Sequence, residues 1–267
     1  MAIDIRKGLK KFSPHFVQAR DGGMNEADTV QRLCKFFEDV LGYDALDDIS
    51  REANLKSKYV DVCLKVDGRV RLLVEAKAAG NQLRDRHIEQ AQTYASQNNY
   101  RWVLLTNGVD WQLYHLTFEE GIEYERAFVV SLENEDGFEE AAQKLALLHK
   151  QAIKRGELEE FWEKATALGP ESIGKALFTD TVLRVIRREI RRDTKLLIDP
   201  EDLAKSLHEM FSAETREQIG PLRVRKRRRV SRKGDQPRRA APASETESAL
   251  TPTAGTDEVK IAIDPVG

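Results

Sequence analysis

Tyr59-Val60-Asp61-Val62-Cys63-Leu64-Lys65-Val66 and Val70-Arg71-Leu72-Leu73-Val74-Glu75-Ala76-Lys77 decide the fold. Both stretches are short and rich in β-branched residues, and Asp67-Gly68 between them is a strong hairpin signal. Side chains alternate faces along a strand. The even positions, Val60, Val62, Leu64, Val66, Val70, Leu72, Val74 and Ala76, are all apolar. The odd positions, Tyr59, Asp61, Cys63, Lys65, Arg71, Leu73, Glu75 and Lys77, are mostly polar or charged. A one-residue slip turns a whole strand over. Burial of every even position therefore requires even opposite even. That parity calls for an odd loop, so a three-residue loop with a left-handed Gly68 is expected rather than a plain two-residue turn. In this register Asp61 lies directly or diagonally across from Glu75, and Lys77 shares their face.

Two carboxylates and a lysine gathered on one sheet make a compact site for a hard cation and an activated water. An Asp followed by Glu-x-Lys is also a common surface pattern, so the flanking segments matter. Residues 1–22 read as a short helix or turn that breaks at Asp21-Gly22-Gly23. Asn25, with Asp28 three residues on, reads as an N-cap. The helix it opens carries an apolar stripe of Val30, Leu33, Cys34, Phe37, Val40 and Leu41 and stops at Gly42. Glu26 projects from its inward side. It is either an acid favoured by the helix dipole or a carboxylate aimed at the sheet. After the hairpin and a loop at Ala79-Gly80-Asn81, a helix is expected over 83–97. His87, Gln90 and Tyr94 share one face of it, either packing on the sheet or lining the site.

Trp102-Val103-Leu104-Leu105-Thr106 reads as a buried strand, Asn107-Gly108 as a turn, and 111–116 and 127–132 as further strands. Residues 1–135 thus form an α/β domain, a mixed sheet flanked by helices. A helical region follows over 136–215, with helices at 137–154, 158–168, 173–194 and 200–211. Its middle helix places Arg184, Arg187, Arg188, Arg191 and Arg192 on the polar side, as a solvated face or a phosphate contact. Residues 216–267 read as a basic, then low-complexity and disordered tail. Its cations, Arg223, Arg225, Lys226, Arg227, Arg228, Arg229, Arg232 and Lys233, suit nucleic-acid attraction by counterion release. The same run also suits a solubilising arm or an import signal.

The 267 residues carry a net charge of only −2 although 33% are charged, so patches of opposite sign matter more than the total. Cys34 and Cys63 are too few for a disulfide framework and read as small apolar residues in a reducing cytoplasm. No signal peptide, membrane-spanning run or Cys/His metal spacing is present. Gly169-Pro170-Glu171-Ser172-Ile173-Gly174-Lys175-Ala176 approaches a phosphate-binding loop. It lacks the hydroxyl after the lysine and follows a helix instead of a strand, so it reads as a helix–helix connection and no nucleotide site is expected.

The ordered set Asn25-Glu26-Ala27-Asp28, Leu41-Gly42-Tyr43, Tyr59-Val60-Asp61, Val74-Glu75-Ala76-Lys77, Gln90-Ala91-Gln92-Thr93-Tyr94-Ala95 and Leu105-Thr106-Asn107-Gly108, with Trp111 and Tyr114 after it, covers the first half of the chain. It resembles the N-terminal nuclease domain of type I restriction enzyme R subunits, of the PD-(D/E)xK nuclease superfamily. Val60 stands where the superfamily's name has proline. No helicase motor is read in the sequence, so the chain is expected to be a standalone relative. The resemblance implies a Mg²⁺-dependent phosphodiesterase acting on nucleic acid, DNA by expectation, in restriction or defence, with Mn²⁺ able to substitute. Asp61, Glu75 and the Ala76 carbonyl would hold the metal. Lys77 would orient or deprotonate the attacking water. Glu26 would match the acid of the first helix, and Gln90 with Tyr94 the glutamine–tyrosine helix motif. A catalytically silent nucleic-acid-binding or regulatory protein on the same fold is the alternative. In a third reading, the helices over 157–212 bind a protein partner or a second copy of the chain.

Overall fold

The fold was read from a computed structural model, which describes residues 5–55, 58–119 and 121–222. The basic run over 223–233 and the expected disordered tail lie outside these residues.

Six strands form one mixed sheet in sequence order, β1 (Ile49–Leu55), β2 (Lys58–Val66), β3 (Arg69–Ala76), β4 (Trp102–Thr106), β5 (Asp110–Thr117) and β6 (Glu123–Ser131). Every pairing is antiparallel except β3 with β4. Parallel neighbours need a crossover connection, and here it contains a 3₁₀ turn (Asp85–Ile88) and helix α3 (Glu89–Asn98). The Leu72-Leu73-Val74 and Val103-Leu104-Leu105 runs are wholly buried. These central strands are covered on both faces, which is why they read as continuous apolar runs and not as alternation.

The expected even-to-even register holds over 62–64 with 72–74 and is lost next to the turn. Val62 faces Val74, Cys63 faces Leu73 and Leu64 faces Leu72. The expected three-residue loop is corrected. Val66 pairs with Arg69 across a two-residue Asp67-Gly68 turn whose φ values, 53° and 74°, are both positive. Such a turn matches the twist of the strands. Parity is restored by a bulge: the register shifts between Leu64 and Lys65, and Lys65 then faces Val70. One residue absorbed there lets a tight turn coexist with a shared face of Val62, Leu64, Val66, Leu72, Val74 and Ala76, while Val60 and Val70, expected on that face, pack in the opposite core with Cys63 and Leu73.

On the face bearing Val62, Leu64, Leu72, Val74 and Ala76, the core is closed by α1 (Ile5–Asp21), α2 (Glu26–Asp39) and α4 (Phe138–Ala146). Leu148, Ile153 of α5 (Lys150–Arg155) and Leu158 of α6 (Glu157–Ala167) join the same core. At its centre the Trp111 ring packs 5.1 Å from Phe36, 6.2 Å from Phe37 and 6.3 Å from Phe16, mostly edge to face. This is the arrangement that aromatic quadrupoles favour. The opposite face buries Cys63, Leu73, Val103 and Leu105 beneath Ala91, Tyr94 and Ala95 of α3. Helix α1 exceeds the expected short helix. Pro14 lies inside it, yet Ile5, Leu9, Phe12, Phe16 and Ala19 are buried along its length, so packing holds a helix that the sequence pattern interrupts.

The remaining helices are α7 (Pro170–Leu177), α8 (Asp180–Thr194), α9 (Pro200–Glu209) and α10 (Ala213–Ile219). Phe178, Leu183, Leu203 and Ala204 form a small core of their own. The single helix expected over 173–194 is two helices, because the Thr179 hydroxyl caps α8 by accepting from Val182 N. The near phosphate-loop is indeed a helix start, with Gly169 at the N-cap and Pro170 in the first turn. No helix among the described residues is long and apolar enough to cross a membrane.

Two left-handed glycines differ in their surroundings. Gly68 (φ 74°) has open space where a Cβ would project, whereas at Gly108 (φ 91°) a Cβ would sit 2.4 Å from Cδ1 of Phe16. Gly68→Ala should cost only the conformational term, about 1–2 kcal/mol. Gly108→Ala adds a steric clash in the core and should cost roughly 3–5 kcal/mol. Denaturant unfolding of the two variants side by side measures both terms.

Candidate active site

The parallel register brings Glu75 beside Leu105 and Ala76 beside Thr106. Lys77 N then donates to Thr106 O at 2.8 Å, so the backbone stays fixed one residue beyond the end of β3. Asp61 reaches this point from β2, its Oδ2 accepting a 2.7 Å hydrogen bond from Ala76 N. Glu75 Oε1 accepts from Lys77 Nζ at 2.6 Å. Glu26, the first residue of α2, places Oε2 3.7 Å from the same Nζ. Its helix is set by the expected cap, with Asn25 Oδ1 accepting from Asp28 N at 2.9 Å. Asp61, Glu75, Ala76, Lys77 and Glu26 are thus gathered where β2, the end of β3 and the start of α2 meet.

Burial sets the electrostatics. Glu75 is only 4% exposed, and its Oε2 is buried with no hydrogen-bond partner. Its pKa is pushed up to about 7, first by burial and then by the negative charges of Asp61 and Glu26; Lys77 opposes the shift without cancelling it. For Lys77 burial works against the charged form. The hydrogen bond to Glu75 and the charges of Glu75, Glu26 and Asp61 outweigh it and raise its pKa. These interactions favour the ammonium form of Lys77. His87 lies within electrostatic reach of Lys77 and Glu26. Its Nδ1 accepts from Arg84 N at 3.2 Å, and burial with the surrounding cations lowers its pKa.

The donor set fits a hard cation. A buried carboxylate oxygen without a partner is costly unless something positive meets it, and Glu75 Oε2 is such an atom. No three His, Cys, Asp or Glu side chains among the described residues form a metal cage by themselves. Two carboxylates and a carbonyl are oxygen donors of the kind that hard cations take together with waters.

Gln90 lies on α3, and its side chain is outside the described residues. The structure does not bring Tyr94 to the carboxylates. It is 3% exposed in the second core, which also holds Cys63, with its ring 6.1 Å from that of Tyr100. Sequence reasoning gave Asn107 only a turn. Its buried side chain accepts from Val109 N and Asp110 N and donates to Asn81 O at 2.9 Å, tying the β4–β5 turn to the loop that leaves Lys77. An Asn before Gly at a strand end was the available signal.

Residues 25–127 match the family model described as the type I restriction enzyme R protein N terminus. The matched span contains Glu26, Asp61, Glu75, Ala76 and Lys77. No curated protein and no solved structure matches the chain at a significant level.

Because Glu75's pKa in the folded state lies above its ordinary value of 4.5, its charge destabilises the fold as pH rises from 4.5 toward 7, and fully above 7. Glu75→Gln should therefore raise the melting temperature in chelator at pH 8 by roughly 3–6 °C. The gap should narrow as pH falls from 7 to 4.5. Calorimetry across that range checks both the sign and the window.

Proposed function

We propose that this chain is a metal-dependent nuclease that hydrolyses phosphodiester bonds in DNA, on a PD-(D/E)xK-type site, in restriction or defence against foreign DNA. The observation that carries this reading is Glu75 Oε2, a buried carboxylate oxygen without a partner beside Asp61 and Lys77. The match of residues 25–127 to the restriction R protein N terminus supports the same class of substrate.

Asp61, Glu75 and the Ala76 carbonyl would hold Mg²⁺ or Mn²⁺. When bound, such an ion supplies Lewis-acid charge to a phosphate oxygen and makes water a better nucleophile. The protein's own contribution is placement. Asp61 is locked by its bond to Ala76 N, so the carboxylates keep their spacing through backbone hydrogen bonds and not side-chain contacts alone. Glu26 and Glu75 flank Lys77 Nζ at 3.7 and 2.6 Å and hold its charge at one point. From there the ammonium would donate to a non-bridging phosphate oxygen, where negative charge grows as the water oxygen bonds to phosphorus. Gln90 lies on the helix that crosses between β3 and β4. Tyr94 acts through packing of that helix.

Incubation of the full chain with plasmid and Mg²⁺ or Mn²⁺ should give nicked and linear DNA. Asp61→Ala, Glu75→Ala and Lys77→Ala should each lower the rate by about 10²-fold or more while leaving DNA binding in place. Binding without cleavage in any divalent metal would assign the chain to the silent nucleic-acid binders. Cleavage unaffected by these substitutions would place the activity elsewhere.

A further inference from the structure

Helix α8 carries arginine at 184, 187, 188 and 191, a spacing of three, one and three residues that keeps all four on one face. Leu183 is buried in the small core and Ile186 and Ile190 pack against it, so the arginines lie on a different side. Together with Leu196, Leu197 and Ile198 they line a cleft of about 210 Å³ whose lining contains no carboxylate. Arg187 Nε donates to Ile198 O, which draws the chain after α8 back over the arginines. Arg184 and Arg188 meet Asp180 and Glu189 at the rim, with side chains 71% and 74% exposed. Arg191 is exposed.

Like charges three and four residues apart destabilise a helix. The dipole favours cations only in the last turn, which accounts for Arg191; Arg184 and Arg188 have only exposed carboxylates at the rim and Arg187 a backbone carbonyl. A basic residue on every turn, 5.4 Å apart, also approximates the spacing of successive phosphates along a nucleic-acid strand. Guanidinium is the side chain best suited to phosphate oxygens.

We propose that this arginine face of α8 is a docking surface for the phosphodiester backbone of DNA, separate from the carboxylate site and without sequence preference. The inference rests on the reading that DNA is the substrate, but it concerns binding and needs no catalytic metal.

The test uses the full chain in EDTA with a fluorescent DNA duplex, with affinity measured across a KCl series. The triple variant Arg184→Gln, Arg188→Gln, Arg191→Gln leaves Arg187 to hold Ile198. It should flatten the slope of log affinity against log salt by about two to three, and weaken binding roughly tenfold or more near 0.1 M salt. The corresponding triple lysine variant should keep most of the slope. Circular dichroism of both variants should match the parent, which separates lost charge from lost helix. An unchanged slope in the glutamine variant overturns the proposal. So does a loss of binding that lysine fails to restore, or binding of phosphatidylglycerol vesicles in preference to DNA. Failure of cleavage with the slope change intact would reject the nuclease reading and leave this surface standing.

Discussion

One register has to satisfy two demands in the β2–β3 hairpin. Apolar side chains must all face the helices that cover one side of the sheet, and the residues between them must converge at the end of β3. Val62, Leu64, Leu72 and Val74 meet the first demand. Asp61 and Glu75 meet the second because they occupy the alternate positions. Neither demand tolerates a slip of one residue, since that would expose the core and bury the charges together. The bulge at Leu64/Lys65 reconciles this register with the tight, twist-matched Asp67-Gly68 turn. Hydrophobic burial thus does the assembling, and the polar site takes its geometry from it.

That assembly leaves a conflict in place. Most buried polar atoms have partners, whereas Glu75 keeps one oxygen without any and lies against two other carboxylates. Lys77 answers part of this charge, which in turn favours its ammonium form. A fold optimised for stability alone would put an uncharged side chain at 75. His115 Nδ1 on β5 is also buried without a partner, but Glu75 is the carboxylate among such atoms of the described residues, and local conflicts of this kind are expected at functional sites.

Much of this was legible in the sequence. The apolar even positions gave the pairing parity, Asn25 gave the start of α2, and the continuous run at 102–106 gave a strand buried on both faces. Other features were not legible, for physical reasons. Strand β1, Ile49-Ser-Arg-Glu-Ala-Asn-Leu55, has no clean alternation and is a strand because β2 offers it a hydrogen-bonding edge. Helix α1 contains a proline and survives through its buried face. The bulge is an answer to a conflict between turn and register that a pattern alone cannot display. Tyr94 shares a helical face with positions turned toward the sheet, but the sheet surface beneath it carries Cys63 and not the carboxylates. Helical spacing fixes the face and leaves the position along the sheet undetermined.

The small core beneath α8 has a consequence for how the molecule comes apart. Phe178, Leu183, Leu203 and Ala204 bury far less than the aromatic and aliphatic layer under the sheet. Regions with few buried apolar contacts open at lower free energy and as separate cooperative units. The C-terminal helices therefore have a route to transient unravelling that leaves the sheet, and the residues fastened to its strand ends, intact. Thermal fluctuation is in this way partitioned, with amide protons behind the carboxylates exchanging last and those of α7 to α10 exchanging early.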